Sequence, residues 1–341
     1  MKIGIVGYGT GGKNFHAPFI EAAQGLELAG IVARAPATIA KVKADFPDVP
    51  IYASLTAMLA AGIDIVTITT PPQTRRELVL EAIAAGVAVI ADKPFAPDAK
   101  TGRELAAAAQ AKGVVLGAYH NRRFDADLQT LKQLIEQQRL GKVWRLHNRM
   151  DLDEPQTLEG GPTGGLLRDM GSHLVDQAIW LLGPVKRVYA QLDHVEVAEG
   201  TTDASFVLTL THQNGSHSHV SSSKINHLIA RELRVYAEKG SFTSYGTDVQ
   251  AQAIFAGKRP ADDLAGWGYE AEANWGTLNT EQGSERVPSA QGAYHAYYEA
   301  FAEAVRQGTP PPVTAEQAIE VLAVLDAAFI SARENRVVDV A

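Results

Sequence analysis

The first 120 residues alternate short apolar runs with amphipathic or alanine-rich stretches. The apolar runs predict strands at 3–6, 28–33, 63–69, 87–91 and 114–119. Helices are predicted between them, at 76–85 and 105–112 among others. Strands that alternate with helices are typical of βαβ units, which build a parallel sheet buried on both faces. We therefore predict an α/β, doubly wound parallel sheet for this part of the chain.

The second half has a different pattern, in which β-like runs follow one another with few helical signals between them. Strands are predicted at 143–151, 187–197, 204–211, 218–223 and 232–237. Asn214-Gly215 stands between two of these runs and predicts a hairpin turn. Because few helices separate the strands, we predict an α+β domain with a largely antiparallel open sheet.

Three helices complete the prediction for the second half. One covers 166–182 and ends at Gly183-Pro184, a common helix-terminating pair. The last two cover 290–305 and 315–332, and the second opens with Thr314 and Gln317 in the spacing of a capping box. We predict one domain of residues 1–122 and a second of 123–341, with the last helices packing back on the first domain.

Length, charge and composition narrow the class of protein. A chain of 341 residues exceeds the roughly 250–300 residues of a single core, which agrees with two domains. The net charge of −8 repels nucleic acid and anionic membranes, so we expect neither as a partner. The absence of cysteine excludes disulfides, thiolate metal sites and cysteine nucleophiles. The chain starts without the apolar core of a secretion signal, and no run approaches the roughly 18 apolar residues of a membrane span, so we expect a cytoplasmic protein.

A glycine-rich segment, G-Y-G-T-G-G at 7–12, follows the first predicted strand and precedes a helix that we expect to end near Ala23. Gly7 permits a tight turn, Gly9 lets the backbone approach a pyrophosphate, and Gly12 allows close packing of helix on strand. A glycine-rich turn without a ligand is the alternative, but the βαβ context favours a Rossmann dinucleotide site at the helix N-terminus. The predicted cofactor-binding residues of this loop are Gly7, Tyr8, Gly9, Thr10 and Gly12.

The residues after the second predicted strand bear on which dinucleotide is bound. NAD-binding domains place Asp or Glu there, about 20 residues beyond the glycine loop, on the ribose 2′-hydroxyl. Here the position holds Arg34, and no carboxylate occurs between Leu28 and Lys43. An arginine pairs with the 2′-phosphate of NADP, so we favour NADP over NAD. The alternative is an arginine stacked on the adenine, which NAD also allows.

Asp92-Lys93-Pro94 follows the strand predicted at 87–91. In open α/β sheets, ligands bind beyond the carboxyl ends of the strands, and Lys93 stands at such an end. An ammonium group there can hydrogen-bond a substrate hydroxyl and stabilise the alkoxide as hydride leaves. The alternative is a surface lysine before a proline that starts a helix.

Asp169 and His173 are four residues apart in the helix predicted at 166–182, so they share a face, and Asp176 stands near it. A carboxylate beside a histidine orients the ring and raises its basicity. A histidine that titrates near neutral pH can take a proton from an alcohol or return it to a carbonyl. The alternative is a capping aspartate and a structural histidine, and the spacing taken alone favours it.

Taken together and in this order, the three motifs resemble the Gfo/Idh/MocA oxidoreductases, the family of glucose–fructose oxidoreductase and inositol dehydrogenase. The resemblance covers essentially the whole chain and is strongest to the branch of NADP-linked scyllo-inositol dehydrogenase-like proteins. Two further segments support it, F-H-A-P at 15–18 and H-N-R-R-F-D at 120–125.

The resemblance implies roles for individual residues. Lys93 corresponds to the lysine that contacts the reacting hydroxyl, His173 to the proton-transferring histidine, and Asp169 to its carboxylate partner. Thr70-Pro71 corresponds to a turn that lies along the cofactor, and Asn121 to a position near both nicotinamide and substrate. We add Asp92 and Lys93 to the predicted cofactor site.

The chain departs from the family pattern at two positions. Asp92 stands where glutamate is common, which is a mild change. Arg75 stands where many members have histidine, and this leaves the role of the position open.

Two other groups of residues allow more than one interpretation. Arg122 and Arg123 either bind a substrate anion or form ion pairs with Asp125 or Asp127, and we include Arg123 in the predicted substrate site. His217 and His219 alternate on a strand and face one side, but no third ligand is evident, so we expect a solvated face and no metal site.

We therefore predict an NAD(P)-dependent oxidoreductase that moves hydride between the nicotinamide and a hydroxyl-bearing carbon of a sugar or polyol. Lys93 from the first domain is expected to meet Asp169 and His173 from the second beside the nicotinamide ring. The alternatives are a non-catalytic NADP-binding regulator on the same scaffold and a dehydrogenase of non-sugar diols. Similar proteins associate through the second sheet, which implies a homodimer or homotetramer.

Overall fold

Six strands build the first sheet of the computed structural model, which describes residues 1–246 and 248–340. The strands are β1 (Lys2–Val6), β2 (Glu27–Val32), β3 (Ile51–Tyr52), β4 (Ile65–Ile68), β5 (Ala88–Asp92) and β6 (Leu116–Tyr119). Their spatial order is β3-β2-β1-β4-β5-β6, and every neighbouring pair is parallel. The order reverses between β1 and β4, and α/β sheets bind ligands at such a switch point. The predicted doubly wound parallel sheet is confirmed.

Five helices accompany these strands in the first part of the chain. They are α1 (Ala17–Ala22), α2 (Pro36–Asp45), α3 (Leu55–Ala60), α4 (Pro72–Ala84) and α5 (Ala99–Lys112). Local capping sets the bounds of α5: the Asp98 carboxylate accepts the Thr101 N–H at 2.7 Å, and Gly113 ends the helix at φ +68°. The α2 helix was not predicted. It buries only Val42, so its apolar periodicity is too weak to indicate a helix.

The second sheet has nine strands. They are β7 (Val143–Asp151), β8 (Val185–Val197), β9 (Gly200–His212), β10 (His217–Ser223), β11 (Ala230–Ala237), β12 (Gly240–Ser244), β13 (Gly276–Thr280), β14 (Gly283–Val287) and β15 (Val338–Asp339). Their order is β14-β13-β12-β11-β7-β10-β9-β8-β15. All neighbours are antiparallel except β7 and β10, which are parallel. The predicted, largely antiparallel sheet is therefore confirmed, with one parallel pair at its centre.

The remaining helices are α6 (Ala126–Glu136), α7 (Ser172–Leu182), α8 (Val249–Phe255), α9 (Tyr294–Gln307) and α10 (Ala315–Glu334). The α7 helix packs against β7 and β10, and side chains such as Leu146, Leu174 and Val220 are buried in the core there. Because strand side chains alternate, the neighbouring residues of β7 and β10 point to the opposite face of the sheet.

Two local predictions are confirmed in detail. Asn214-Gly215 connects antiparallel β9 and β10, and Gly215 has φ +85°, which suits glycine in a hairpin turn. At the start of α10, the Thr314 N–H donates to Gln317 Oε1 at 3.3 Å, and the Gln317 N–H donates to Thr314 Oγ1 at 3.3 Å. These reciprocal bonds form the predicted capping box.

The chain forms two compact units. The first comprises residues 1–121, 250–267 and 293–319, and the second comprises the described residues of 122–249, 268–292 and the segment from 320 onward. The opening segment of the first unit thus ends one residue before the predicted boundary at 122, and α9 belongs to the first unit. Residue 341, the end of the predicted second domain, lies outside the described residues. No helix in the described part of the chain is both long and apolar enough to cross a membrane.

Candidate active site

The glycine loop leads from β1 into a helical turn and is shaped by close backbone contacts. Gly7 has φ +105°, a conformation that side chains disfavour. A Cβ on Gly12 would lie 2.2 Å from the carbonyl oxygen of Gly7, so only glycine fits this contact. At Gly9 a Cβ would meet no atom within 4 Å, so the backbone there faces open space. These features fit a pyrophosphate lying against the loop.

The helix after the loop begins as a π-helical turn over Gly11–His16, where we had predicted only a regular helix. Such turns are frequent at functional sites. Thr10 is exposed at its start. Tyr8 is buried instead: its hydroxyl donates to Asp45 Oδ2 at 3.0 Å, and burial and this carboxylate raise the pKa of Tyr8 well above its ordinary value. The backbone of Tyr8 is therefore part of the glycine loop, while its side chain is buried.

Arg34 lies two residues beyond the end of β2 and is exposed. Its position at the carboxyl end of this strand is the one from which a Rossmann domain contacts the adenosine ribose.

Lys93 follows β5, in a turn whose backbone is held by the preceding carboxylate. Asp92 Oδ1 accepts the Lys93 N–H at 2.7 Å, and Asp92 Oδ2 accepts the Thr69 hydroxyl at 2.6 Å. A Cβ on Gly11 would lie 2.7 Å from Thr69 Oγ1 and 3.2 Å from Asp92 Oδ2. A larger residue at position 11 would therefore displace this pair of side chains, a role that the sequence motif did not indicate.

His16 is the buried partner of Asp92. It has no exposed surface, its Nε2 lies 3.1 Å from Asp92 Oδ2, and its Nδ1 lies 2.6 Å from the hydroxyl oxygen of Tyr298. Burial opposes ionisation of Asp92, but His16 and Arg75 outweigh it and hold the pKa of Asp92 well below its usual range. Burial raises the pKa of Tyr298 well above its ordinary value. The carboxylate beside Lys93 is thus kept ionised.

Arg75 is buried in the first turn of α4, with 3% of its surface exposed. Its Nη2 donates to the Thr70 carbonyl oxygen at 2.6 Å. Its Nη1 donates to the carbonyl oxygens of Asp92 and Pro94. The guanidinium thus links two loops of the first unit: the loop after β4 and the turn of Asp92, Lys93 and Pro94, which we call the lysine turn.

The predicted cofactor residue Pro71 is exposed next to Thr70, and Asn121 is buried in a 3₁₀ turn after β6.

In the second unit, Asp169 lies in a π-helical turn over Leu167–Gly171 that continues into α7, where His173 is buried. Asp203 fixes the start of this turn, because its Oδ2 accepts the Leu167 N–H at 2.6 Å. Gly165 precedes the turn with φ +97°, and a Cβ there would lie 2.0 Å from Asp203 Oδ1. The contact and the positive φ thus give a steric reason for glycine at position 165.

Asp169 has a cationic partner that the sequence did not indicate. Lys224, directly after β10, places its Nζ 3.0 Å from Asp169 Oδ2 and donates to Thr157 Oγ1 at 2.9 Å. The Lys224 side chain is 6% exposed, whereas that of Asp169 is 42% exposed. The ammonium group thus joins the Asp169 turn to the polar loop that precedes it.

The two arginines at the domain junction form ion pairs. Arg123 is buried and donates to both carboxylate oxygens of Asp176, at 2.9 and 2.6 Å. Arg122 Nη1 lies 3.2 Å from Asp125 Oδ2 and 3.0 Å from Asp248 Oδ2. Arg123 thus pairs with Asp176, where we had expected Asp125 or Asp127, and its place in the substrate site stays a prediction.

His217 and His219 lie on β10, where the His219 ring stacks on the ring of His147 with centroids 4.8 Å apart. Among the described residues, no group of three or more histidine, aspartate or glutamate side chains is arranged to hold a metal ion.

Two family models match the chain. An oxidoreductase-family NAD-binding Rossmann fold matches residues 1–120, and an oxidoreductase-family C-terminal alpha/beta domain matches residues 132–340. The chain belongs to the Gfo/Idh/MocA oxidoreductase family. The resemblance inferred from the three motifs is thereby confirmed.

Relatives and solved structures match over most or all of the chain. The scyllo-inositol 2-dehydrogenase (NADP(+)) IolW of Bacillus subtilis is 33% identical over 99% of this chain and 95% of its own. D-apiose dehydrogenase of Paraburkholderia graminis is 27% identical over 85% of this chain and 76% of its own. The structure of the oxidoreductase YvaA from Bacillus subtilis is 33% identical, with a TM-score of 0.89 over 100% of this chain and 99% of that one. These findings confirm the predicted NAD(P)-dependent oxidoreductase acting on CH–OH groups.

The structure brings some of the predicted site residues together within each unit. In the first unit, the glycine loop, Thr69-Thr70 and the lysine turn surround the carboxyl ends of β1, β4 and β5. In the second, Asp169 and His173 lie on one helical segment. Lys93 and His173 belong to different units, so their meeting beside a nicotinamide stays a prediction.

Proposed function

We propose that this Gfo/Idh/MocA protein transfers hydride reversibly between NADP(H) and a hydroxyl-bearing carbon of an inositol-like polyol or sugar. The observation that carries the proposal is the lysine turn, in which Asp92 and Arg75 hold the backbone of Lys93 at the carboxyl end of β5. Support for the substrate class comes from the relatives, whose names specify scyllo-inositol and D-apiose.

In this proposal, His173 and Lys93 act on the same substrate oxygen. During oxidation His173 removes the hydroxyl proton, and the Lys93 ammonium stabilises the negative charge that develops on the oxygen. NADP supplies the hydride acceptor when it is bound. Asp169 adds a negative charge near His173, and its position depends on Lys224. In the reverse direction His173 returns the proton to the new alkoxide.

The residues of the glycine loop fit the dinucleotide. Gly7, Gly9, Thr10 and Gly12 would bind the pyrophosphate, and the Thr70-Pro71 turn and Asn121 would lie toward the nicotinamide half. Arg34 is exposed beyond β2, in a stretch without a carboxylate, which favours the 2′-phosphate of NADP.

Two glycine variants and one arginine variant test the cofactor site. Gly9→Ala meets no neighbour, so we expect unchanged thermal stability and NADPH binding weakened by about tenfold or more, roughly 1.4 kcal/mol. Gly12→Ala collides with the Gly7 carbonyl, and this overpacking costs about 1–3 kcal/mol of stability. Arg34→Ala removes a charge-assisted bond of about 1.5–3 kcal/mol, so NADPH affinity falls about tenfold to a hundredfold while NADH affinity is unchanged. Thermal unfolding measures the stability of the two glycine variants, and fluorescence titration measures the cofactor affinities of Gly9→Ala and Arg34→Ala. An equal loss of affinity for NADPH and NADH in Arg34→Ala would contradict the NADP preference.

We further propose a cytoplasmic homodimer or homotetramer that associates through the face of the second sheet opposite α7. This face carries the stacked His147 and His219 rings, and the Tyr236 ring centroid lies 5.8 Å from that of His147. Half-exposed Trp144 precedes His147 on β7. Burial lowers the pKa of His147 and of His219, which favours neutral rings on an interface. Sedimentation velocity tests this: Tyr236→Asp should shift the oligomer toward monomer, and an unchanged sedimentation coefficient would contradict it.

The substrate proposal is tested by nicotinamide absorbance with a panel of inositols, keto-sugars, aldoses and aromatic diols. Turnover of polyols or sugars that Lys93→Ala lowers by about a hundredfold or more, while the variant still binds NADPH, is the expected result. Turnover of diols alone would reassign the substrate class. NADPH binding with no turnover on any substrate would instead indicate a regulator.

A further inference from the structure

Arg75 occupies a position whose role the family resemblance left open. Arginine is seldom buried unless its guanidinium group is hydrogen-bonded, because that group carries five N–H donors and stays charged. Here the side chain is 3% exposed in the first turn of α4, close to the carboxyl ends of β4 and β5. A cation in this place therefore has a specific set of acceptors.

Those acceptors are three backbone carbonyl groups. The Arg75 Nη2 donates to the carbonyl oxygen of Thr70 at 2.6 Å. The Nη1 donates to the carbonyl oxygens of Asp92 and of Pro94. Asp92 and Pro94 are the two residues that flank Lys93, so one nitrogen holds the turn on both sides of the lysine.

A second set of bonds holds the turn through its N–H and the Asp92 side chain. The Lys93 N–H donates to Asp92 Oδ1 at 2.7 Å, and Asp92 Oδ2 is in turn bound by the Thr69 hydroxyl at 2.6 Å and lies 3.1 Å from His16 Nε2. The backbone at Lys93 is therefore fixed by two independent groups, the Arg75 fork and the Asp92 carboxylate.

The charge of Arg75 persists under ordinary conditions. Burial lowers the pKa of Arg75 to about 10, and the Asp92 carboxylate opposes that shift. The guanidinium therefore remains a donor throughout the neutral range. A planar fork also holds several acceptors in a fixed geometry, which a lysine ammonium group on a flexible stem does not.

We propose that Arg75 is a positioning residue for Lys93, binding the carbonyl groups on both sides of the lysine and so fixing where its ammonium group reaches. This inference rests on the proposed role of Lys93 at the substrate oxygen. Arg75 itself touches neither substrate nor cofactor in this account.

The test compares Arg75→Met, Arg75→His and Arg75→Lys with Arg76→Met as the matched control. Arg76 is the next residue of α4, but it binds Glu104 and Glu77 on the surface. A misplacement of about 1 Å can cost about a hundredfold in rate. We expect Arg75→Met to lower kcat about tenfold to a hundredfold, with the Kd for NADPH raised less than about threefold, and Arg76→Met to retain wild-type kcat.

Arg75→His keeps a rigid ring N–H donor at this position and should recover part of the lost kcat, more than Arg75→Lys, whose ammonium group is on a flexible stem. A merely structural arginine would lower stability and cofactor affinity together and would leave kcat unchanged in folded enzyme. If Arg75→Met does not fold, the proposal is tested by the kcat values of Arg75→His and Arg75→Lys, of which the histidine variant should be faster. A kcat within threefold of wild type in every folded Arg75 variant overturns the proposal.

Lys93→Ala distinguishes this failure from failure of the proposed function. If Lys93→Ala is inactive and the Arg75 variants are fully active, only the positioning role is wrong. If Lys93→Ala retains wild-type turnover, both the role of Lys93 and the role of Arg75 are wrong.

Discussion

The lysine turn and the helical segment that carries Asp169 and His173, which we call the Asp169 helix, contain the groups of the proposed chemistry. Different interactions hold these two regions in place. Around Lys93, the bonds go to the backbone: Arg75 binds carbonyl groups, and Asp92 binds an N–H. Around Asp169, the main tie is between side chains, from the Lys224 ammonium group to the carboxylate and to Thr157. The first arrangement is buried, whereas the Asp169 side chain is 42% exposed.

The difference bears on which parts of the site can vary. The backbone groups that Arg75 and Asp92 bind in the turn are present whatever residues stand there, so the position of Lys93 depends on only these two side chains. The contacts among Lys224, Asp169 and Thr157, by contrast, change when any one of these residues is substituted. We therefore expect substrate selectivity to change at Thr157 and Lys224, and the reaction itself to depend on the lysine turn.

The largest expected effects come from the two reacting groups. Lys93→Ala and His173→Ala should each lower kcat by about 10²–10⁴-fold, the range for an oxyanion donor or a general base. In the proposed mechanism both act on one oxygen in one step, so the double variant should be little slower than the slower single variant. Stopped-flow or steady-state absorbance at the nicotinamide band measures this. Fully multiplicative losses would show that the two residues contribute independently, which would contradict their joint action.

A smaller effect is expected at the ion pair of the Asp169 helix. Lys224→Met, Asp169→Asn and the double variant form a cycle, and residues in contact couple by about 0.5–3 kcal/mol. We expect the lower part of this range because solvent screens the exposed Asp169 carboxylate. Measured on kcat/KM, Lys224→Arg should recover most of the loss.

The control for this cycle is Lys186→Met, an exposed lysine on β8 of the same unit. It should leave kcat/KM unchanged. A coupling energy near zero between Lys224 and Asp169 would mean that the pair has no part in catalysis.

The smallest effect is the pH dependence of stability contributed by Asp92. Its folded pKa is depressed, so its stabilising contribution is complete above the unfolded pKa of about 3.9 and is lost as pH falls below it. The difference in Tm between wild type and Asp92→Asn should therefore be constant above about pH 5 and shrink below about pH 4. Scanning fluorimetry from pH 3 to 7 measures it, with exposed Asp339→Asn as the control. A difference that grows on acidification would contradict the assigned charge state.

Much of the fold and part of the site followed from local sequence signals. The glycine loop, the capping box at Thr314 and the hairpin at Asn214-Gly215 depend on neighbours a few residues apart, and each was predicted from its own segment. The two-residue strands β3 and β15 give too short a pattern to detect. The π-helical turns share the apolar spacing of ordinary helices over one turn, so they were predicted only as helices.

The partners of the site residues were not predictable in the same way. His16 and Tyr298 are 282 positions apart, Lys224 and Asp169 are 55 apart, and Arg123 and Asp176 are 53 apart. Such pairs exist only after the chain has folded, and each residue alone has an ordinary surface interpretation. The carbonyl acceptors of Arg75 carry no side-chain signal at all, which is why its role stayed open.

The central claim is that Lys93 and His173 act on one substrate oxygen beside the nicotinamide. The decisive test is a crystal structure of the protein with NADP⁺ and a polyol that the substrate panel shows to be a substrate. We expect Lys93 Nζ and one His173 ring nitrogen each to lie within about 2.6–3.2 Å of the same hydroxyl oxygen. A ternary complex in which either side chain lies away from that oxygen, with no bridging water, would contradict it.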